Sequence, residues 1–420
     1  MIWGMKLEWN NTLWKKHVEK MAGFVSALVE DIGRSERREA AANYVRGLLN
    51  EGQRKSIEPM AQRLGVDKQK LQQFMADSPW DEQLVWKAIR QKVMPAFEPI
   101  NAWIVDETGW LKQGSMSVGV HHQYCGAAGK QANCQVSVEV ALSDGQIAAP
   151  VAARLYLPEA WANNQTRREK AGVPEAITFQ TKPMIAMGLI REVLADGVLR
   201  APVLGDEVYG DSHEFRAQLR EMGMEYFLTV GKDQHAWVKR PDLSRGRKKW
   251  SVAAGQKAGT PLEALARAFG PADWKEHSWR CAGGTMRRTR IACRPVCVLS
   301  DLDEHSGEWP ECLLVVDWPK EKEEPYHVYL AWLKSQPNTL RFLRWSRGRF
   351  PIEQFYQRGK TDLGLDHYEG RSWRGFHHHL AMSAVAYLFV TLVYLSVKKN
   401  FWSDVGASLA PDEAVVAALC

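Results

Sequence analysis

Through the first hundred positions apolar residues recur at helical spacing; beyond that they alternate or run together. Glu36 to Leu49 ("ERREAAANYVRGLL") keeps its apolar positions on a helical period, and Ile57, Met60, Ala61 and Leu64 share one face of the next segment. Gly65 interrupts, and Val66, Leu71 and Phe74 resume the pattern. Two short helices joined by a glycine turn outline a helix-turn-helix, or equally a small helical bundle. Ser78-Pro79-Trp80-Asp81 reads as the start of a further helix, with Ser78 as cap, Pro79 in the first turn and Asp81 near the positive helix end.

After Pro99 the period changes. Ala102 to Val105 reads as an apolar strand ending in Asp106, and "SVGVHHQY" and "CQVSVEVAL" alternate as two more strands. Thr181 to Leu199 reads as a helix, "APVLGDEVYG" as a buried strand ending in Asp206, "DSHEFRAQLREMG" as a helix and "EYFLTV" as a strand. That order predicts an α/β fold, a mixed sheet with crossover helices. The rhythm is then lost. "VKRPDLSRGRKKW" sets six basic residues against one acid, and "TRIACRPVCVL", "ECLLVVDW" and "HVYLAWL" alternate after it, a β-rich insertion ahead of a helix that begins at Pro351. Four regions result: 1–98 helical, 99–230 the first part of the α/β core, 231–344 the β-rich insertion, and 345–420 the C-terminal helical part of the core. The longest apolar run, Ala381 to Val397, contains Ser and Thr and falls short of the ~20 residues of a membrane span, so a buried core helix is expected and no membrane association.

Composition narrows the class. A chain of 420 residues with 45% hydrophobic and 25% charged residues can fold around one large core with accessory domains, which excludes wholesale disorder. The net charge of +6 is compatible with a polyanionic partner. The N-terminus has no continuous apolar stretch of the signal-peptide kind, and the seven cysteines include no Cys-x-x-Cys pair; Cys293 and Cys297 have no His or Cys companions at zinc spacing. A reducing cytoplasm is the expected compartment.

The candidate chemistry lies in three carboxylates. Asp106 and Asp206 each follow an apolar strand and precede a glycine-containing turn, so both would face the crevice at the ends of the strands. Two buried carboxylates side by side are costly unless a cation neutralises them, and hard oxygen ligands suit Mg²⁺ or Mn²⁺. Glu353 falls in the first turn of a helix with Pro351 at its start, and Lys360, seven residues on, returns to within about 20° of the same face. An acid for a metal and a cation for a phosphate suit a phosphodiester, with two metal ions ~4 Å apart serving an in-line displacement. Arg349, Arg358, Lys360, Arg371 and Arg374 would neutralise phosphates around the acid. Each residue alone has a plainer reading: a turn aspartate, a first-turn acid, a solvated lysine. Glu107 and Glu207 would point to the opposite face and serve structure, and Asp317 has no partner in the strand order. His377, His378 and His379 diverge by ~100° each on a helix, so they cannot share one ion; DNA contact or helix packing is expected.

Several stretches together, "WIVDETGWLKQGSMSVGVHHQYCGAAGKQANCQVSV", "RLYLPEAWANNQTRREKAGVPEAITFQTKP", "VLGDEVYG" and "IEQFYQRGKTDLGLDHYEGRSWRGFHHH", resemble bacterial insertion-sequence transposases of the DDE superfamily. The resemblance runs from about Glu36 to Val397. It implies a ribonuclease-H-like catalytic domain whose three acids fall on Asp106, Asp206 and Glu353, holding two Mg²⁺ ions with Mn²⁺ able to substitute. One branch of the superfamily carries Tyr-x2-Arg-x3-Glu-x6-Lys around the third acid; Arg349, Glu353 and Lys360 match it, and Ser346 stands at the tyrosine. By the same resemblance the helical front recognises terminal inverted repeats in double-stranded DNA, and the 147 positions between the second and third acids resemble the β-rich insertion of hairpin-forming members. In those an aromatic holds a flipped base. Trp250, with Lys248 and Lys249 beside it as expected DNA-phosphate contacts, Trp274 and Trp279 are the candidates, since base stacking contributes ~1–3 kcal/mol.

The implied activity is cut-and-paste transposition. A strand is hydrolysed at each element end, the freed 3′-hydroxyls are joined to target DNA, and a homodimer forms on DNA, cytoplasmic and nucleoid-associated when bound. A non-cleaving, domesticated DNA binder and a ribonuclease-H-like nuclease without strand transfer are the alternatives, separated from it by strand-transfer products.

Overall fold

The protein is described by a computed structural model covering residues 11–280, 285–325, 327–335 and 337–405. Its N-terminal part is helical, as the periodicity predicts: α1 (Asn11–Leu28), α2 (Ser35–Leu49), α3 (Ile57–Leu64), α4 (Lys68–Ala76) and α5 (Glu82–Ala88). Tyr44, Val45 and Leu48 of α2, Met60 and Ala61 of α3, and Leu71, Phe74 and Met75 of α4 bury against one another. Gly65 closes α3 with φ +65°, a left-handed conformation that a side chain would strain. α5 starts later than the Ser78 cap predicts. Asp81 is its cap, accepting from the Gln83 amide at 2.9 Å. The residues before it are used to bury Trp80, whose indole stacks on Phe74 and at 3.6 Å on His378.

The α/β core follows: β1 (Ala102–Leu111), β2 (His121–Cys125), β3 (Lys130–Ser143), β4 (Ala148–Leu155), α6 (Glu159–Ala162), α7 (Gln165–Ala171), α8 (Lys182–Ala195), β5 (Val203–Gly205), α9 (Glu207–Gly210), α10 (His213–Glu221) and β6 (Tyr226–Thr229). β1 and β3 pair antiparallel over their length, and β5 and β6 lie parallel to β1, a ribonuclease-H-like mixed sheet. β4 is a strand the periodicity did not announce. Pro150 sits in it, at a register shift opposite Ala141, where a missing amide is tolerated on a strand paired along one side.

The insertion comprises β7 (His235–Trp237), β8 (Leu243–Arg245), β9 (Trp250–Val252), β10 (Thr260–Pro261), α11 (Leu262–Arg267), β11 (Lys275–Arg280), β12 (Met286–Val298), β13 (Cys312–Asp317) and β14 (His327–Trp332). It is not a separate β unit. β14 pairs antiparallel with β6, so the core sheet continues through β14, β13 and β12 into one twelve-stranded sheet among the described residues, ordered β10-β7-β12-β13-β14-β6-β5-β1-β3-β2 with β11 added on β12 and β4 on β3. Covering β6 in this way removes an exposed edge. Within the described residues only the β8–β9 hairpin stands apart.

Three helices finish the chain: α12 (Thr339–Arg347), α13 (Phe350–Leu363) and α14 (Trp373–Val405). Trp373–Ser396 is long and apolar enough to cross a membrane, yet 78% of its most apolar window is buried inside the protein, packed on α2 and β4. It is the core helix that its sequence predicts. Its three histidines pack rather than gather on an ion. His379 Nδ1 takes the Tyr44 hydroxyl at 2.7 Å, His377 bonds the Trp373 carbonyl and the Leu155 amide, and His378 faces the Met75 and Trp80 carbonyls at 3.0 and 2.9 Å.

Candidate active site

β1 does not end at Asp106. It runs on to Leu111 against β3, while its pairing with β5 is recorded only at Trp103↔Val203 and Ile104↔Leu204. Carried two residues further, that register sets Asp106 beside Asp206, where β5 has given way to α9. Gly205 permits the approach: a Cβ there would lie 2.9 Å from Val105 Cγ2. Asp206 is held as the cap of α9, its Oδ1 accepting from the Val208 amide at 3.0 Å. Gly210 closes the same turn against the Thr229 carbonyl with no room for a side chain.

Arg349 joins the two acids. It precedes α13, and one of its terminal nitrogens lies 3.2 Å from Asp106 Oδ2 and 3.7 Å from Asp206 Oδ2. Burial raises the Asp106 carboxyl above the usual range, with Arg349 opposing; burial raises Asp206 to about 6, again against Arg349. Burial alone would weaken the Arg349 cation, but Asp106 and Asp206 outweigh it and hold the guanidinium charged. Its Nε is buried without a hydrogen-bond partner among the described residues.

Glu107 departs from expectation in one respect. It does serve structure, taking Lys182 at 2.7 Å and the Tyr209 hydroxyl at 2.8 Å. Yet one oxygen of its carboxylate lies within 4.8 Å of one oxygen from each of Asp106 and Asp206, which are themselves as close to each other. Three hard oxygen donors that close fit a divalent cation. Glu353 is outside that group. It is exposed in the first turn of α13, in a cleft it shares with Gly205, Arg349 and Phe350, close enough to Arg349 to add to its charge stabilisation.

Lys360 is half-buried on α13 and donates to the Gly109 carbonyl of β1 at 2.7 Å; burial lowers its pKa. Ser346, at the signature tyrosine, donates to Leu343 and to Asp317, and Tyr329 of β14 lines the cleft beside it. Asp317 is spoken for by Arg347 and Thr289. Of the three tryptophans, Trp279 reaches this cleft, with Arg287, Arg288 and Arg347 around it. Trp274 packs inside the insertion on Phe269 and Trp318. Trp250 lies on the β8–β9 hairpin against Gly307, with Lys249 paired to Glu304 and Lys248 exposed; none of these three lines the cleft. Arg371 is exposed in a second cleft with Lys112 and His367, Arg374 donates to the Asp77 carbonyl, and Arg358 turns toward Tyr387 and Tyr394 of α14.

Two residues of the site were missed in the sequence. Glu139 of β3 pairs directly across from Asp106, is almost wholly buried, accepts from Ser137 and is pushed by burial up to about 8. A lone acid between Val138 and Val140 in an apolar strand was its signal. Tyr356, three residues after Glu353, has a buried hydroxyl without a partner among the described residues; the acids Glu139 and Asp106 are among its electrostatic neighbours.

The sequence profile of the DDE superfamily endonucleases matches residues 27–288, which includes Asp106 and Asp206 and stops before Glu353. A probable transposase for insertion sequence element IS701 from Microchaete diplosiphon is 28% identical over 228 residues, 53% of this chain. The chain spans 56% of the length of that relative.

Proposed function

Because the chain belongs to the family of DDE superfamily endonucleases, we propose that it is an insertion-sequence transposase in which Asp106, Asp206 and Glu353 hold divalent metal, Mg²⁺ or Mn²⁺. The observation that carries the reading is the meeting of Asp106 and Asp206 under Arg349, on the helix start that also bears Glu353. Bound there, divalent metal would supply Lewis acidity to a phosphodiester. The chain's own residues do the rest. Asp106 and Asp206 bring a concentrated negative charge that burial leaves only partly compensated. Arg349 balances it and lines the cleft with a part-exposed guanidinium that can meet a phosphate of the scissile strand. Lys360, by tying α13 to Gly109, fixes the helix that carries Glu353 over the end of the sheet.

The substrate is double-stranded DNA: the terminal inverted repeats of the element, then its target. Water is the nucleophile at the first step and the freed 3′-hydroxyl at the second, with no covalent enzyme intermediate. Joining two ends calls for a homodimer on DNA. Trp279, with its arginines, is the aromatic best set to hold a flipped base at the cleft.

The test is an Mg²⁺-dependent assay on labelled DNA carrying the element's ends, comparing wild type with Asp106→Ala, Asp206→Ala and Glu353→Ala. Cleavage and joining by wild type, with each variant binding DNA but losing both by at least about 100-fold, is the expected result. Retained activity in Glu353→Ala would remove the third acid and bring forward Glu107 or Glu139. Cleavage without joining would make the protein a nuclease, and binding without cleavage a DNA-holding relative.

A further inference from the structure

The stretch from Arg154 to Pro183 ends beside the acids, and the proposed chemistry makes no use of it. Residues 172–181 within it form neither helix nor strand, yet they are fastened in place. Arg168 of α7, 9% exposed, donates to the carbonyls of Ile177 at 2.6 Å and Pro174 at 3.0 Å. Arg154 of β4 donates to the Gln180 side chain at 2.5 Å. The loop so pinned presents Phe179 to solvent. Phe179 meets Tyr156 edge to face, with ring centroids 6.4 Å apart, and has no stacked aromatic partner among the described residues. Edge-to-face contact covers at most one face of one ring, so flat aromatic surface stays open. Lys182, three residues further on, stands 5.9 Å from the centre of the Tyr156 ring and 2.7 Å from Glu107. Glu107 in turn is within 4.8 Å of Asp106 and Asp206. One lysine therefore connects the aromatic pair to the acids. None of Tyr156, Phe179 and Lys182 lines the cleft that holds Glu353 and Trp279.

An exposed phenylalanine alone is ordinary. This one is presented by a loop that a buried arginine holds, is edged by a second aromatic, and is followed by a cation in contact with the acid group. A protein-binding anchor would sit within a wider apolar patch, whereas the neighbours of Phe179 in the chain are Thr178, Gln180 and Thr181. An open aromatic face beside a cation matches a nucleotide: the ring stacks on the base, and the charge meets the phosphate. An ammonium group carries three donors, so Lys182 can hold Glu107 and still offer one to a phosphate oxygen. We infer that Phe179, Tyr156 and Lys182 form a seat for an unpaired nucleotide adjoining the phosphate at the acids. Its base stacks on Phe179 against Tyr156, and Lys182 meets its phosphate. Every base has a π-face, so the seat favours an unpaired strand over any particular sequence. The inference rests on the reading that the protein acts on DNA.

The experiment measures Kd for the full chain, in chelator-containing buffer, on duplex DNA carrying an element end already cut, so that the nucleotides next to the cut can unpair. A parallel set of duplexes lacks the base at each of those nucleotides, one at a time. Wild type is compared with Phe179→Ala and Phe179→Trp, each checked for an unchanged circular dichroism spectrum. Phe179→Ala should weaken binding of intact DNA by about 5- to 150-fold, and Phe179→Trp should restore it. On the duplex missing the seated base, Phe179→Ala should bind no more weakly than wild type, because the two losses remove one contact. Equal binding of intact DNA by Phe179→Ala and wild type overturns the seat, as does an equal loss on every duplex of the set. Cleavage and joining by wild type on uncut ends are scored separately. Cleavage and joining without the coupled loss remove the seat alone, and a coupled loss without cleavage removes the transposase reading alone. Failure of wild type to bind any of these DNAs removes both.

Discussion

At Asp206 the folded chain holds a carboxyl near pKa 6, because burial outweighs the help of Arg349. The unfolded chain releases that proton first, near pH 4. This site therefore costs stability progressively as pH rises from about 4 to about 6, and the cost persists at neutral pH. Asp206→Asn should accordingly raise the unfolding midpoint in chelator-containing buffer at pH 7 while abolishing cleavage. The gain is on the order of 1 kcal/mol, discounted because the side chain is 31% exposed. A lowered midpoint would mean that the Arg349 contact is worth more than the burial. Asp106 and Asp206 were legible as acids following apolar strands before glycines. Glu139 was not singled out, because a strand pattern records which face a residue takes and not which residue lies across from it; only the β1–β3 register sets it opposite Asp106.

Among the elements, α14 is the clearest case of a sequence feature whose meaning packing decided. Three consecutive histidines on a helix cannot converge on one ion, and here each meets a different neighbour, from Tyr44 of α2, from β4 and from the end of α4. Burial lowers His377 and His379 to about 4. Their bonds define neutral rings, each with one nitrogen accepting, from the Leu155 amide and the Tyr44 hydroxyl. The unfolded chain takes up these protons near pH 6.5, so stability is fully present above that value and falls as the pH drops toward 4, by on the order of 3 kcal/mol for each ring. Urea unfolding followed at pH 7.5 and 5 should show a midpoint loss that His377→Asn or His379→Gln diminishes. An undiminished loss in both variants would place the acid sensitivity elsewhere. α5 carries the complementary lesson: a good local cap at Ser78-Pro79 gave way to the burial of Trp80 between Phe74 and His378.

Over the whole molecule the insertion and the core are one sheet, locked by a buried ion pair. Arg216 of α10 and Asp301, just after β12, have fully buried side chains 2.9 Å apart; Arg216 also bonds the Gly210 carbonyl, and Arg220 stands 3.6 Å from Asp301. Gly210 belongs to the turn that begins with Asp206, so this pair connects the insertion to the site. Asp301→Ala would leave Arg216 buried without its counter-charge, a loss of about 3–5 kcal/mol. The expected readout is a large drop in the urea midpoint. An unchanged midpoint would show that the pair is dispensable to the junction.

The sequence by itself determined the helical front, the strands of β1, β3, β5 and β6, the buried character of α14, and two acids placed to meet, because local periodicity and strand-end acids report directly on burial. Tertiary structure alone decided that β14 would cap β6 and merge the insertion with the core, since a strand's pattern does not name its partner. It also decided that Arg349 lies between Asp106 and Asp206, that Glu107 reaches their crevice while bound to Lys182, and that Trp279 rather than Trp250 or Trp274 stands at the cleft. Each of these depends on chain segments far apart in sequence brought within a few ångströms, and that distance is set by packing.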